Sequence, residues 1–234
     1  MIVIATNNGY AERQSRGDKI IRSRFLENLL ISIDKINYKG DVVVMDTGSN
    51  ELNSLIYLKN LKKENPFNFN LIVDSSDYPF STGAYLSAFR KYTSDYYIFI
   101  QDSMEIKDND FIKDIESLLT DNNVVCLLKG DKKTYDYDNN EQKEYVYNSI
   151  GYTEYDYLIF GPVFSIKRKV FEKVVDSIKL LPRKKSVDSG MERAFGSLFK
   201  FNNIDIVAID GEYDFDRLVY DKLRYIKKYH INRQ

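Results

Sequence analysis

Short β-branched runs alternate with longer amphipathic stretches through the first half of the chain, the pattern of a parallel sheet covered by helices. Ile2–Ala5, Asp41–Met45, Asn70–Val73 and Tyr96–Ile100 read as strands, each running into a polar turn. Between the first two, Asp18–Ile36 sets Ile20, Ile21, Phe25, Leu29, Leu30 and Ile33 at helical spacing. Asn50–Lys63 and Gly83–Tyr92 read as the second and third helices, with Asp74–Phe80 as the loop before the latter. The second half is less regular. Helices are expected over Asp108–Leu119, Lys169–Ile178 and Asp188–Phe201, and strands over Val124–Leu128, Ile204–Ile209 and, broken by Gly161-Pro162, Tyr157–Ile166. Lys129–Tyr147 is polar and rich in Tyr, Asp and Lys, which predicts a long loop with at most a hairpin. The tail, Asp216–Tyr229, reads as a basic helix.

Composition narrows the function. The 234 residues are 43% hydrophobic and 29% charged, with 11 Gly and 4 Pro, as in soluble globular domains. Thirty-four basic against 35 acidic residues leave a net charge of −1, without the basic footprint of a nucleic-acid binder. The opening apolar run, Ile2–Ala5, is too short for a signal-peptide core, and the longest nearly apolar stretch falls far below the roughly 18–20 residues of a spanning helix. These features predict a cytoplasmic protein without a transmembrane segment. Cys126 stands alone in an apolar run, so it forms no intrachain disulfide, and His230 is the single histidine, so carboxylates must carry any acid–base or metal chemistry. No Gly-x-Gly-x-x-Gly follows the first strand and no phosphate-loop motif occurs, which disfavours dinucleotide oxidoreductases and kinases.

Ligands of open α/β sheets collect beyond the carboxyl ends of strands. At those ends stand Thr6-Asn7, Asp46-Thr47-Gly48-Ser49 and Gln101-Asp102-Ser103. Asp46 can present a carboxylate to a base N–H or to ribose hydroxyls, or cap the next helix as an Asx turn. Asp102, after the most hydrophobic strand, lies on the cleft floor, where a carboxylate can hold a hard divalent cation against a diphosphate.

Taken in order, the strand ends, together with Ser81-Thr82-Gly83-Ala84 and Gly190-Met191-Glu192-Arg193, resemble those of family 2 nucleotide-sugar glycosyltransferases of the GT-A fold. The resemblance covers roughly residues 1–210. It implies a single Rossmann-like α/β domain, its mostly parallel central sheet covered by helices on both faces. A nucleotide-binding half (1–103) would precede an acceptor half (104–210), with a basic tail helix over 211–234. It further implies a nucleotide-sugar donor, UDP being the commonest in the family, a glycan or other hydroxyl acceptor, and a Mn²⁺ or Mg²⁺ cofactor. The donor nucleotide would meet Thr6, Asn7, Asp46, Gly83, Gln101 and Asp102. Glu192 matches the family's general base for inverting transfer, with Asp188 as a competing base whose position also suits a helix N-cap.

The family's Asp-x-Asp is here Gln101-Asp102-Ser103, and Arg193 takes the place of a second acid. Asp102 would therefore hold the metal, joined by His230 if the tail folds back, with Arg217, Arg224, Lys227 and Lys228 near the diphosphate or on an anionic membrane surface. The departures leave a second reading, a non-catalytic nucleotide- or glycan-binding protein with the same fold. A sugar nucleotidyltransferase is a weaker third, because no Gly-rich loop with a basic residue follows the first strand.

Overall fold

In the first strand, β1 (Ile2–Thr6), alternate side chains serve opposite faces of the sheet: Ile2 and Ile4 join one core cluster, Val3 and Ala5 the other. The same division runs along β2 (Asp41–Asp46) and β4 (Tyr96–Gln101), where Ile98 and Ile100 face one side and Tyr97 and Phe99 the other. Strands buried on both faces have to be apolar almost throughout, which is why these runs were legible as strands. The computed structural model describes residues 1–7, 19–50, 52–132, 136–161, 163–211 and 223–228.

The elements β1, α1 (Lys19–Lys35), β2, α2 (Leu52–Glu64), β3 (Asn70–Ser75), α3 (Phe80–Lys91) and β4 alternate as expected. After them come β5 (Met104–Ile106), α4 (Phe111–Leu118), β6 (Asn123–Cys126), β7 (Lys129–Asp131), α5 (Asn140–Ile150), β8 (Tyr157–Ile159), β9 (Phe164–Lys167) and α6 (Arg168–Val175). The chain continues through α7 (Lys185–Asp188), α8 (Met191–Phe201), β10 (Asp205–Ala208) and β11 (Ile226–Lys228).

The central sheet has seven strands in the order β10-β6-β9-β4-β1-β2-β3. β3, β2, β1 and β4 are parallel, and β9 runs antiparallel between β4 and β6. Leu26, Leu29, Leu30 and Ile33 of α1, Leu58 of α2 and Phe111 and Ile115 of α4 cover one face. The other is covered by α3, α6 and α8 through residues such as Tyr85, Phe89, Phe171, Phe195 and Phe199. The domain is thus α/β with a mostly parallel sheet and helices on both sides, as the sequence predicts.

Three expectations for the second half change. The predicted loop Lys129–Tyr147 contains β7 and most of α5. Asn139 caps that helix by accepting the Gln142 amide at 2.9 Å, and Gly151 closes it in the left-handed conformation at φ 80°. Its buried stripe is Gln142, Val146, Ser149 and Ile150, half of it polar, so the hydrophobic period is weak. The helix predicted over Asp188–Phe201 begins later, as α8 at Met191, and Asp188 instead ends the preceding short helix α7, with Ser189-Gly190 between them. The tail is corrected most: within the segment expected to be helical, Ile226–Lys228 is a strand paired antiparallel with β5.

Gly196 lets α8 meet β8 closely, since a Cβ there would lie 2.1 Å from the Tyr157 carbonyl oxygen. Gly196→Ala is expected to cost about 1–3 kcal/mol by overpacking, lowering the urea midpoint without changing the m-value. An unchanged midpoint would contradict this packing.

Candidate functional site

From β1 the chain steps outward to β2 and β3, then crosses back to β4 on the other side of β1. That reversal opens a crevice at the carboxyl ends of β1 and β4, the place where doubly wound sheets bind ligands. Polar groups stitch it together. The Asp102 amide donates to the Ala5 carbonyl at 3.1 Å, and the Thr6 hydroxyl donates to Asp102 Oδ2 at 2.8 Å. Thr47 donates its amide (2.9 Å) and hydroxyl (3.0 Å) to the Thr6 carbonyl, while Asn7 Nδ2 donates to the Thr47 carbonyl at 3.0 Å. Thr6 lies opposite Asp46 in the β1–β2 register, and Ala5 opposite Gln101 in β1–β4.

Asp46 is buried, and its carboxylate accepts both the amide and the hydroxyl of Ser49. Burial raises its pKa, and the Ser49 hydroxyl and the amides of Thr47–Ser49 oppose that rise. The turn depends on Gly48 at φ 95°, a left-handed conformation that costs glycine little. Of the two readings of Asp46 from the sequence, the geometry shows the turn: its carboxylate closes Asp46–Ser49 at the end of β2. Gly83 is different. It lies inside α3, where a Cβ would come within 2.7–2.9 Å of Tyr78, so its small size serves the packing of the preceding loop.

The two candidate bases lie on α7 and α8. Asp188 ends α7, and the N-cap of α8 is Gly190, so the capping role that sequence position suggested for Asp188 is not the one it has. It is buried instead, and α7 packs on α3. Tyr85 of α3 is fully buried, which raises its pKa well above the ordinary value, and the charges of Asp188 and Asp102 push it the same way. The Tyr85 hydroxyl is buried without a hydrogen-bond partner among the described residues.

Glu192 has 17% of its side chain exposed and accepts the Gly161 amide at 2.9 Å. Burial raises its pKa. Arg193, the Gly161 amide and Lys228 act against that rise, and Asp188 reinforces it. Lys228 arrives through the β11–β5 pairing, opposite Met104 and two residues beyond Asp102 in that strand's chain. Its Nζ stands 3.2 Å from where a Gly161 Cβ would be. Arg193, expected in the place of a second acid, is buried and anchors the chain around it, donating to the carbonyls of Ser189 (3.1 Å) and Asp136 (3.0 Å). Arg224 pairs with Asp108 at 2.7 Å and approaches Asp110 and Asp114 at 3.6 Å, so three carboxylates meet its charge. His230 and Arg217 lie outside the described residues.

Among the described residues no three His, Cys, Asp or Glu side chains converge on one metal position. Asp102, one of whose oxygens accepts from Thr6, is the carboxylate at the end of β4 that could meet a cation, and such an ion would need phosphate oxygens and water to complete its shell.

No family model and no curated protein sequence matches the chain. Solved structures do. The bifunctional glycosyltransferase WbbM superposes with a TM-score of 0.53 at 18% identity, covering 89% of this chain and 38% of that one. An active-site mutant of the galactosyltransferase LgtC gives 0.51 at 14% identity over 99% and 87% of the two chains. Residues 1–349 of S. aureus TarS give 0.50 at 13% identity, and the chain covers 58% of that structure's length with 90% of its own. The chain has the GT-A fold.

Glu192 provides a test of the crevice's electrostatics. Its folded pKa is raised, so the destabilisation from its ionised form is absent below the unfolded value near 4.3, grows as pH rises from there to the folded value, and is complete above it. Glu192→Gln is expected to raise Tm at about pH 8 and leave it nearly unchanged at about pH 4. An equal change at both pH values would contradict the burial of this carboxyl.

Proposed function

We propose that the protein is a glycosyltransferase that moves a sugar from a nucleoside diphosphate sugar, UDP foremost, to a hydroxyl of a glycan or similar acceptor with inversion. The observation that supports this reading is the Thr6–Asp102 hydrogen bond at the β1/β4 reversal, and a buried acid, Glu192, held by the Gly161 amide and acted on by Lys228, supplies a candidate base. The structures of TarS with UDP-GlcNAc and with UDP support the choice of donor for a domain of this fold. Thr6, Asn7 and Asp46 would receive the base and ribose. Asp102 would face the diphosphate and would hold Mn²⁺ or Mg²⁺ brought with it, the ion supplying charge neutralisation for the leaving group. Lys228 adds positive charge on the same side.

Transfer then needs one proton acceptor. The acceptor oxygen attacks the anomeric carbon, the bond from that carbon to the diphosphate oxygen breaks, and its electron pair leaves with the nucleoside diphosphate. Glu192 takes the hydroxyl proton. A carboxyl with a raised pKa suits that task, because its affinity for a proton lies closer to working pH.

Glu192→Gln is expected to slow transfer by roughly 10²–10⁴ while leaving UDP binding nearly intact. Asp102→Asn is expected to weaken UDP binding in manganese far more than Ser103→Ala does, because only the carboxylate brings negative charge to an ion. Calorimetry and a donor–acceptor panel measure both. Full activity in Glu192→Gln would move the base to Asp188 or elsewhere. A wild type that binds UDP but transfers no sugar to any acceptor would favour the binding-protein reading.

A further inference from the structure

Helix α2 is apolar on two sides. Leu58 is buried, and Tyr57 and Leu61 pack against the same core. On the opposite side Leu52, Leu55 and Ile56 are exposed by 72%, 46% and 46%. At 3.6 residues per turn Lys59, Lys62 and Lys63 continue that outer side toward the helix C-terminus, while Glu64, the one acid of α2, falls to the flank. None of these three lysines has an ion pair or side-chain hydrogen bond among the described residues.

We infer that the outer face of α2 docks on an anionic membrane surface, its aliphatic triad entering the headgroup region and its lysines meeting lipid phosphates. Protruding aliphatic side chains followed by a lysine row are what an interfacial helix presents to lipid, and lysine stems can lie along the acyl boundary with the ammonium in the headgroups. Protein interfaces have the inverse signature, enriched in aromatics and arginine and depleted of lysine. A second copy pairing through this face would set lysines against lysines or against the aliphatic triad, since the outer side of α2 over 52–63 carries no carboxylate. The apolar end of the face lies three residues beyond Ser49, whose amide and hydroxyl hold Asp46, so the docking end is the one nearest the crevice. This inference does not depend on the proposed reaction.

Co-sedimentation of the full chain with vesicles tests it. Binding is expected to mixed phosphatidylcholine–phosphatidylglycerol vesicles, not to pure phosphatidylcholine, and to fall as salt is added. Combining Lys59→Gln, Lys62→Gln and Lys63→Gln is expected to lower partitioning at least roughly tenfold, each lysine near an anionic surface being worth about a factor of five. Combining Leu52→Ser, Leu55→Ser and Ile56→Ser is expected to have a similar effect. If either variant loses its fold by circular dichroism, the lipid and salt dependence of the wild type still decides. Wild-type protein left in the supernatant, or equal binding to neutral vesicles, would overturn the inference. So would concentration-dependent dimerisation abolished by the serine variant, which would assign the face to a second copy. Binding to soluble polyglutamate as tight as to anionic vesicles would assign it to an acidic protein and overturn the inference as well.

Discussion

The carboxyl end of β1 has to satisfy two neighbours at once, because the strand order reverses around it. Its last carbonyls accept from both sides, Ala5 from the Asp102 amide and Thr6 from Thr47, and the Thr6 hydroxyl reaches across to the Asp102 carboxylate. A ladder that ended in apolar side chains would leave Asp102 without that donor. With Ile2, Val3 and Ile4 almost wholly buried between two helical layers, the strand beneath has little freedom to shift. The crevice inherits that rigidity: its polar groups are fixed by the same strands whose apolar faces form the core.

Carboxylates make up most of the chemistry the crevice offers, and burial works against their charge. Asp46 and Glu192 both have raised pKa values for that reason. What keeps them in place differs. Asp46 is held by its own turn through Ser49, a local arrangement set by Asp-Thr-Gly-Ser. Glu192 depends on groups distant in sequence, the Gly161 amide, Arg193 and Lys228. Lys228 in turn depends on the anchoring of its segment, where the Asp210 carboxylate accepts the amides of Arg224 and Tyr225, and Arg224 pairs with Asp108. The surroundings of Glu192 are therefore built by the C-terminal segment as much as by α8.

This difference explains which parts of the molecule were legible in the sequence. Strands buried on both faces leave apolar runs, and the polar turns after them named Thr6, Asn7, Asp46 and Asp102 before any fold was known. Helix α5 was not legible, because Gln142 and Ser149 occupy half its buried stripe and break the period. Nor was β11, a three-residue strand whose partner, β5, is equally short. Tyr85 is a case where the sequence reading and the structure agree: a tyrosine in a helical stripe looks like core, and its fully buried ring stacks on Phe99 at 4.6 Å.

The claim on which the functional reading rests is that the crevice at the strand-order reversal receives a nucleoside diphosphate. Amide chemical-shift mapping during a UDP titration of the full chain tests it most directly. The largest perturbations are expected at Thr6, Asn7, Thr47, Ser49 and Asp102, on both sides of β1. Perturbations confined to other surfaces, such as the β10 edge of the sheet, or none at saturating UDP, would contradict it.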